Sequence, residues 1–462
     1  MSGKRSERTY KGIDLTKGRI FHTLLAMGIP VAIGFMFETS YNVVDTMFVG
    51  GLGVNALAAL SMSFPLYFII LSVGIGLSVG TNALVAQAIG AKDYKKADNL
   101  AEHSFLVAFV VGLLVSFMGS FAVKPFYLAF GATPEVLALG EQYMFWIFVN
   151  SIPFYFTFVA MALLRAEGEA MIPLYALAGG AILNVFLDWI FIYGLFGLPA
   201  MGVAGAGFAT FLSDVVAVLL FAVIFLSGKR FIRLQPRDFS FHFGYAKQLL
   251  LKGIPASIGQ VITAGGFSLI MALVGTFGPE AVAAYGVGIR LDQLVVLPSI
   301  GISTAVTSIV GQNIGAGKLK RVEWTVNTAL KLLFAVEIAG GAVVLAFSGP
   351  LLGLFTQDVK VIDLGMAYIG IVAFTYCFRA GMIVLASAFQ GAGEMMKALL
   401  MMASFYGLAF LLAYGLLQTN RDISMIWLSI AGGTLGSFAL SYFMYTQKMW
   451  VPKHLREKHP AR

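Results

Sequence analysis

The chain has 462 residues, of which 59% are hydrophobic and only 12% are charged. A soluble domain carries roughly 25% charged residues, so this composition excludes a soluble globular protein and predicts a membrane protein with many spans. The net charge of +8 does not indicate nucleic-acid binding, because the basic residues follow the topology pattern described below. The single cysteine, Cys377, excludes an internal disulfide.

The first apolar stretch carries four polar side chains on one helical face. Residues 20–49 would form a helix about 45 Å long, which is enough to cross a bilayer with tilt. Within it, Glu38, Tyr41, Asn42 and Asp45 follow the spacing i, i+3, i+4 and i+7. An ionised carboxylate at membrane depth is costly unless it faces a cavity, a partner or an ion. The two acids are therefore predicted to be functional, with snorkelling to water as the alternative.

Polar interruptions divide the chain into twelve predicted spans, and the predicted fold class is an all-α membrane protein. These spans use nearly the whole chain, which leaves no room for a soluble catalytic domain. Residues 1–19 are charged and lack a signal-peptide pattern, so the first span is expected to be retained. The predicted spans are residues 20–48, 56–82, 101–123, 137–160, 171–194, 202–227, 247–275, 282–308, 325–348, 361–386, 397–417 and 424–447.

Lysine and arginine are segregated between the two sides of the predicted bundle. The side with both termini and the loops after even-numbered spans has 24 of the 31 basic residues, whereas the opposite side has three, Lys124, Lys360 and Arg421. Cytoplasmic loops carry such an excess, so both termini are predicted to be cytoplasmic in a prokaryotic plasma (inner) membrane. The excess charge then serves topology and contact with anionic membrane lipids.

The sequence aligns with itself after a shift of 225 residues. Gly-Ile-Pro at 28–30 recurs at that distance, as do Gly-Glu at 168–169 and, with one change, Gln-Ala-Ile-Gly-Ala at 87–91. Because each half has six spans, both halves enter the membrane in the same sense, which predicts two six-helix lobes with the substrate between them. The predicted domains are an N-lobe at 1–227, a cytoplasmic linker at 228–246 and a C-lobe with a short cytoplasmic tail at 247–462.

The repeat separates residues that serve packing from residues that serve chemistry. Asp45 corresponds to Ile270, and Asp188 on the fifth span corresponds to Ala409 after a four-residue deletion. The scaffold therefore does not require these acids, and the chemistry is predicted to lie in the N-terminal half. The other polar residues that change are Glu38 (to Thr263), Asn42 (to Phe267) and Asn184 (to Phe405).

Asp45 and Asp188 are predicted to lie at the same depth. They precede Gly50 and Gly194, at the outer ends of their spans, by five and six residues, so each lies on the order of 8 Å below its helix end. Asn184 lies one turn below Asp188 on the same face. Two close carboxylates in a low dielectric hold a proton or share a cation, which predicts a coupling site at Asp45 and Asp188. The alternative is two separate acids, each satisfied structurally.

Seven short motifs carry a resemblance to a known family. They are residues 14–18 (DLTKG), 28–30 (GIP), 44–50 (VDTMFVG), 87–91 (QAIGA), 165–168 (RAEG), 184–188 (NVFLD) and 205–210 (GAGFAT). With these motifs the chain resembles the multidrug and toxic compound extrusion (MATE) family, within a superfamily that includes polysaccharide and lipid-precursor flippases. The likeness covers essentially the whole chain, and the duplicated Gln-x-Ile-Gly-Ala motif is a specific part of it.

The resemblance implies twelve helices in two lobes that export bulky, mostly cationic or amphipathic drugs in exchange for Na⁺ or H⁺. The match is to the N-lobe cation site of the DinF-like branch. Its residues in this chain would be Asp45, Asn184 and Asp188, with Tyr41, Tyr143 and Thr210 nearby. The NorM-like branch uses acids on spans seven and ten, where this chain has only Asp363 at an outer edge and carries Arg379 instead. This departure favours coupling in the N-lobe.

Further polar side chains lie within predicted spans. A lone arginine in a span requires a carboxylate partner, and Arg379 is assigned with Arg290 to the substrate cavity. Arg290 and Asp292 point to different sides of their helix, so they are not expected to pair. Asp214 and Glu337 are interpreted mainly as members of packed polar networks. The predicted cavity residues are Tyr143, Glu38, Asn42, Arg290 and Arg379.

The predicted function is a secondary active multidrug efflux antiporter that works by alternating access, with no cofactor beyond the coupling ion. No P-loop motif, metal-ligand spacing or nucleophile–base constellation is evident, so an enzyme is not expected. The predicted partners are amphipathic or cationic drugs and membrane lipids, without nucleic acid, and the chain is expected to be a monomer. The alternative is a flippase for lipid-linked precursors or polysaccharides, which would need cationic groups such as Arg290, Arg379, Lys252 and Lys331 within spans.

Overall fold

The chain is almost entirely helical in the computed structural model, which describes residues 12–228, 230–235, 239–452 and 455, and these residues include no strand. Helices satisfy their own backbone hydrogen bonds, as a lipid environment requires. The helices are α1 (Ile20–Gly50), α2 (Val54–Gly90), α3 (Tyr94–Ala129), α4 (Pro134–Val149), α5 (Ser151–Ala166), α6 (Met171–Tyr193), α7 (Val203–Leu226), α8 (Phe243–Gly275), α9 (Pro279–Gly315), α10 (Leu319–Ala346), α11 (Ser348–Gly353), α12 (Val359–Val372), α13 (Tyr376–Gly391), α14 (Met395–Thr419) and α15 (Ser424–Thr446), with a 3₁₀ turn at Ala373–Thr375.

The predicted set of membrane spans is confirmed. In the described part of the chain, 11 helical segments are long and apolar enough to cross a membrane, and α4 and α5 together form a further, bent span. One of the 11 segments, Val359–Gly391, contains α12, the 3₁₀ turn and α13. The protein is therefore an all-α membrane protein, and its described residues contain twelve spans when the bent pair is counted as one.

The predicted span 137–160 is bent rather than straight. α4 ends at Val149 and α5 begins at Ser151. The span bends by 42° between them. Pro153 explains the break, because it has no N–H to donate to the Val149 carbonyl oxygen and its ring crowds that oxygen. The second half of the chain breaks at the corresponding place, the turn at residues 373–375, without a proline.

The backbone geometry repeats between the two halves. α2 and α9 each contain 37 residues, and both their first and last residues are 225 positions apart (54 to 279 and 90 to 315). Their N-cap residues, Gly53 and Gly278, have positive φ angles of 117° and 105°. Only glycine adopts this conformation without strain. The parallel repeat predicted from the sequence is thus visible in the fold.

Two compact units divide the chain inside α1 and α8. The first unit contains the described residues up to Gly18 together with Ile33–Ser257. The second contains Arg19–Ala32 and the described residues from Ile258 onward. The first part of α1 therefore packs in the second unit, and the first part of α8 packs in the first unit. The lobes predicted at 1–227 and 247–462 stay a prediction.

Close packing of glycines explains this exchange of helix ends. Within the first unit, a Cβ added to Gly76 of α2 would lie 2.6 Å from the carbonyl oxygen of Gly253 of α8. Within the second unit, a Cβ added to Gly301 of α9 would lie 2.3 Å from the carbonyl oxygen of Gly28 of α1. Small residues at helix interfaces let membrane helices approach this closely. The two glycine pairs are related by the 225-residue shift, so this packing belongs to the repeat.

Each unit has a central buried helix. In the first unit, α5 is buried along most of its length and packs against α2, α3 and α7. Its aromatic residues Phe154, Tyr155 and Phe158 belong to the hydrophobic core of that unit. In the second unit, α13 occupies the corresponding place and packs against α9, α10, α14 and α15. The central helices provide rigid walls for any site beside them.

Carboxylates hold the segment after α7 on the first unit. Nη2 of Arg230 lies 2.9 Å from Glu167, and the Ile232 N–H donates to the other carboxyl oxygen of Glu167 at 2.6 Å. The Arg233 N–H donates to Asp98 at 3.0 Å. Glu167 lies just beyond the end of α5, and burial raises its pKa to about 7 although the charge of Arg230 acts in the opposite direction. These contacts order the described part of the predicted linker.

Candidate functional site

The polar residues of α1 divide into two groups. Asp45 is buried, and Glu38 and Tyr41 line a cavity within the first unit. Asn42 is exposed, and its side-chain amide donates to the Glu38 carbonyl oxygen at 2.8 Å. The helical rotation explains the difference, because Asn42 lies about 100° around the helix from Tyr41 while Asp45 lies between Glu38 and Tyr41. Asn42 was predicted in the substrate cavity, but the structure does not place it in this lining.

Asp45 of α1 and Asp188 of α6 are both buried in the first unit, within electrostatic range of each other. The charge of Asp45 acts on Asp188, which is completely buried. Neither carboxyl oxygen of Asp188 has a hydrogen-bond partner, and neither does Oδ1 of Asp45. Buried polar atoms without partners are costly. The pair therefore fits a proton or a cation that the protein does not itself supply.

Asn184 and Thr210 form a polar wall beside this pair. Nδ2 of Asn184 donates to Oγ1 of Thr210 at 3.4 Å, and the Thr210 hydroxyl donates to the Ala206 carbonyl oxygen at 3.1 Å. Oδ1 of Asn184 is buried without a partner. Tyr143 of α4 is also buried and lies within electrostatic reach of both acids. The structure thus brings these three predicted residues to the region of the acid pair.

The side-chain oxygen atoms of this region are suited to bind a proton or Na⁺. Carboxylate, amide and hydroxyl oxygens are ligands for hard cations. The described residues include no group of three or more His, Cys, Asp or Glu side chains that could hold a metal ion. The site instead has two acids, one amide and one hydroxyl, which offer oxygen ligands only. Asp45, Asp188 and Asn184 are the residues that would hold Na⁺.

A small cavity of about 50 Å³ lies beside this region, between α1, α5, α6 and α7 of the first unit. The polar lining residues are Glu38, Tyr41, Thr157, Asn184, Thr210, Ser213 and Asp214, and the large apolar ones are Phe154, Phe158, Met161 and Leu177. The wall therefore combines apolar surface with seven polar side chains.

Asp214 and Thr157 line the cavity but were not assigned to it from the sequence. Asp214 accepts a hydrogen bond of 2.7 Å from Nδ2 of Asn150, at the break between α4 and α5. Its position one turn after Thr210 on the same helical face was a signal that could have identified it. Thr157 on α5 carries no charge and belongs to no motif, and its buried hydroxyl has no partner.

An ion pair in the second unit involves Arg379. Nη1 of Arg379 lies 3.8 Å from Oδ2 of Asp292, so Arg379 has the carboxylate partner that its position in a span requires. Tyr368 donates to the same carboxyl oxygen at 2.5 Å, and Tyr376 donates to the other. Asp292 is therefore satisfied by partners on α12 and α13.

Other polar residues of the second unit have separate surroundings. Arg290 is exposed, with its guanidinium carbon 5.9 Å from the centre of the Phe355 ring. Glu337 is buried and accepts a hydrogen bond of 2.5 Å from Ser299. Glu337 therefore belongs to a packed polar contact, and Arg290 does not pair with Asp292 among the described contacts.

Comparison with known proteins reproduces the repeat found in the sequence. The MatE family model matches residues 30–190 and 255–415, which together exceed half of the chain and are offset by 225 residues. The FAD transporter of Shewanella oneidensis is 27% identical over 385 residues, covering 83% of this chain and 85% of that protein. The probable multidrug resistance protein YpnP of Bacillus subtilis is 29% identical over 410 residues, covering 87% of this chain and 89% of that protein.

A solved structure has the same architecture. The crystal structure of MATE in complex with MaL6 matches with a TM-score of 0.90 and 27% identity, covering 97% of this chain and 100% of that chain. Members of this family are transporters and not enzymes. The twelve spans, the internal repeat and the family match agree, and this chain belongs to the MATE family of membrane transporters.

Proposed function

We propose that this protein is a secondary active multidrug efflux antiporter of the DinF-like branch, which exchanges H⁺ or Na⁺ for amphipathic, mostly cationic drugs. The observation that carries the proposal is the buried pair Asp45 and Asp188, in which Oδ1 of Asp45 and both carboxyl oxygens of Asp188 lack partners. Asn184, one turn from Asp188, lines the cavity beside this pair. Relatives described as multidrug resistance and multidrug export proteins support drug transport.

The acid pair would couple the ion to the drug through charge. Two carboxylates in a low dielectric cannot both remain ionised cheaply, so one holds a proton or both share a cation. Na⁺ would be held by Asp45, Asp188 and Asn184, with Tyr41 and Thr210 nearby. Occupancy must favour one conformation over the other, because a ligand that binds both equally shifts nothing. Alternating access then links ion entry to drug release.

The membrane placement is part of the same proposal. The 24 basic residues on one side of the predicted bundle, against three on the other, support cytoplasmic termini in a prokaryotic plasma membrane. We expect a monomer in contact with membrane lipids. Cysteine-accessibility labelling of single cysteines introduced near each terminus would test the orientation.

Efflux from proteoliposomes tests the function and identifies the ion. Ethidium transport should be driven by an imposed Na⁺ gradient or by an imposed pH gradient. Asp45→Asn and Asp188→Asn should each abolish this coupled transport while the proteins remain monodisperse. Asp363→Asn, which removes an exposed acid of α12, is the matched control and should transport normally. Normal ethidium export by both Asp45→Asn and Asp188→Asn would refute the proposal.

Anionic substrates are the alternative. One relative is named an FAD transporter, and FAD and lipid-linked precursors both carry a pyrophosphate, which requires positive side chains. The cavity lining in the described residues has two acids, Glu38 and Asp214, and neither lysine nor arginine. Arg379, a candidate for the flippase function, is paired with Asp292. Movement of labelled lipid without dye efflux would favour the flippase.

A further inference from the structure

Glu337 on α10 is a buried acid of the second unit whose carboxyl group is only half satisfied. Its side chain is 0% exposed, and α10 is one of the membrane spans. The Ser299 hydroxyl of α9 donates to Oε1 of Glu337 at 2.5 Å, whereas Oε2 is buried without a hydrogen-bond partner. No lysine or arginine in the described part of the chain forms an ion pair with Glu337. One hydroxyl therefore provides all the direct compensation of this carboxyl group.

The nearby positive charge is already engaged by another acid. Arg379 acts on Glu337 electrostatically, but its guanidinium is paired with Asp292 at 3.8 Å. Tyr368 and Tyr376 also donate to Asp292. One guanidinium cannot neutralise two carboxylates, so ionisation of both acids would leave an uncompensated negative charge at membrane depth. A proton on Glu337 removes that charge.

The repeated scaffold does not require a carboxyl group at this position. The 225-residue shift pairs Glu337 with Gly112 of α3, and Ser299 with Gly74 of α2. Gly112 is packed so closely that an added Cβ would lie 3.0 Å from Cα of Ile152 on α5. The first unit thus builds the same pair of helices without the acid and without the hydroxyl. Packing of the repeat therefore does not explain Glu337.

We propose that Glu337 is a second proton-binding site of this protein, separate from Asp45 and Asp188, and that it holds its proton at neutral pH. The proton lies on Oε2, because Oε1 already accepts the hydrogen bond from Ser299. Loss of this proton would place a second negative charge beside Arg379, which would then compete with Asp292 for the guanidinium. The proton on Glu337 therefore keeps Arg379 with Asp292.

The other titratable groups around α10 do not supply a counter-charge. Glu337 acts electrostatically on Tyr376 and Cys377 of α13, and a phenol and a thiol are neutral at neutral pH. Tyr368 of α12 is a phenol as well. The remaining charged groups on α9, α10 and α12 near this level are exposed, namely Arg290, Lys331 and Asp363.

Infrared spectroscopy tests the proton directly, because a protonated buried carboxyl group has a C=O stretch that carboxylates and amides lack. The full-length protein is measured at neutral pH in a detergent without carbonyl groups. A band of this kind should be present in the unmodified protein and absent from Glu337→Gln. The double variant Asp45→Asn with Asp188→Asn should retain this band. Glu141→Gln makes the same change as Glu337→Gln at an exposed position of α4 and should remove no band.

Two further measurements check the assignment of the band. Ser299→Ala should move the band to higher frequency, because the C=O group loses a hydrogen bond. Glu337→Gln should shift the Tm by less than about 3 °C, because an amide has the shape and the neutral charge of the protonated acid and still accepts from Ser299. If Glu337→Gln does not fold, the frequency shift in Ser299→Ala decides the question.

Three outcomes would overturn the inference. They are a Glu337→Gln spectrum that keeps every protonated-carboxyl band, loss of a carboxylate band instead, or a band whose frequency does not change in Ser299→Ala. None of these measurements uses transport. Failure of the proposed antiport would therefore be a separate result, seen as absence of ion-driven ethidium efflux from proteoliposomes of the unmodified protein.

Discussion

The Asp45–Asp188 pair of the first unit and Asp292 of the second are carboxylates at membrane depth in opposite states. In the first unit, Asp188 has no hydrogen-bond partner on either carboxyl oxygen, and Asp45 lacks one on Oδ1. In the second unit, Asp292 accepts hydrogen bonds from two tyrosines and is paired with Arg379. A carboxylate that the protein satisfies has no need of an added cation, whereas an unsatisfied one does. The same helical scaffold thus supports a site in one unit and a closed ion pair in the other.

The positions that correspond to the candidate site are occupied by apolar residues in the second unit. Where the first unit has two acids and an amide, the second has three apolar residues in one hydrophobic core cluster. These residues are Ile270, Phe405 and Ala409. The comparison shows that these positions can pack as ordinary core, so the fold does not require polar residues there.

Transferring the residues of the second unit into the first should have the largest effect. Asp45→Ile combined with Asp188→Ala should reduce ion-driven ethidium efflux by at least about 100-fold, because the differential binding of the ion is lost. Thermal stability should be unchanged or higher, because apolar residues replace unsatisfied buried acids. Efflux assays and thermal unfolding in detergent measure the two effects. Strong ion-driven efflux by the double variant would show that Asp45 and Asp188 are not needed for coupling.

Removing the arginine of the second unit should have the next largest effect. Arg379→Gln leaves Asp292 buried without its counter-charge, and it should lower the free energy of unfolding by about 2 kcal/mol, since partial exposure of Arg379 moderates the loss. Asp292→Asn should cost less, because an amide oxygen still accepts from Tyr368. Thermal unfolding compares the two variants. Equal stability of Arg379→Gln and the unmodified protein would show that the pair is not structural.

Glu167 is a buried acid of the first unit that has an arginine partner, Arg230, as Asp292 has in the second unit. Arg230→Gln removes the charge that lowers the Glu167 pKa, so that pKa should rise further above about 7. A carboxyl whose folded pKa exceeds its unfolded value of about 4.3 stabilises the fold fully below that value and loses this contribution as pH rises through the folded pKa. The Tm of the variant should therefore fall relative to the unmodified protein as pH increases above about 7.

The matched control for this pH dependence is Glu167→Gln with Arg230→Gln. It has no titrating carboxyl at this position, so its Tm should follow the pH profile of the unmodified protein more closely than the single variant does. A single variant whose loss of stability is independent of pH would contradict the role assigned to Glu167.

The smallest effect is expected at Asn42. Asn42→Ala should change efflux by less than about twofold, because the side chain is exposed and bonds only to its own helix. Asn184→Ala makes the same chemical change at a buried position in the cavity wall and should cost about tenfold in apparent affinity for the ion. Efflux measured against ion concentration separates them. A larger effect at Asn42 than at Asn184 would reverse the assignment of these two amides.

The helical architecture could be predicted because local sequence determines it. The length of apolar runs predicts spans, and the 225-residue shift predicts the duplicated fold. The bend at Asn150 could not be predicted, although Pro153 is visible in the sequence. Prolines also occur inside the unbroken helices α1 and α2, at Pro30 and Pro65. A proline alone therefore does not distinguish a break from a continuous span.

The site could be predicted only in part, for a related reason. The face that carries Asp45 follows from helical periodicity, but which residues line a cavity depends on how separate helices pack. Asn42 shares the face and yet is exposed, whereas Thr157 has no sequence signal and is buried in the cavity wall. Asp214 is oriented in the cavity wall by a hydrogen bond from Asn150, which is distant in the chain. Which residues line the cavity is determined by contacts between helices, and helical periodicity does not predict those contacts.

The hydrogen bond from Asn150 to Asp214 joins the bend of the fourth span to the cavity wall. A guest molecule that engages the Asp214 carboxylate competes with this amide for the same acceptor. Because such linkage is reciprocal, any effect of the guest on the angle between α4 and α5 implies an equal effect of that angle on guest affinity. We therefore expect the curvature of this membrane segment and the occupancy of the cavity to be thermodynamically coupled.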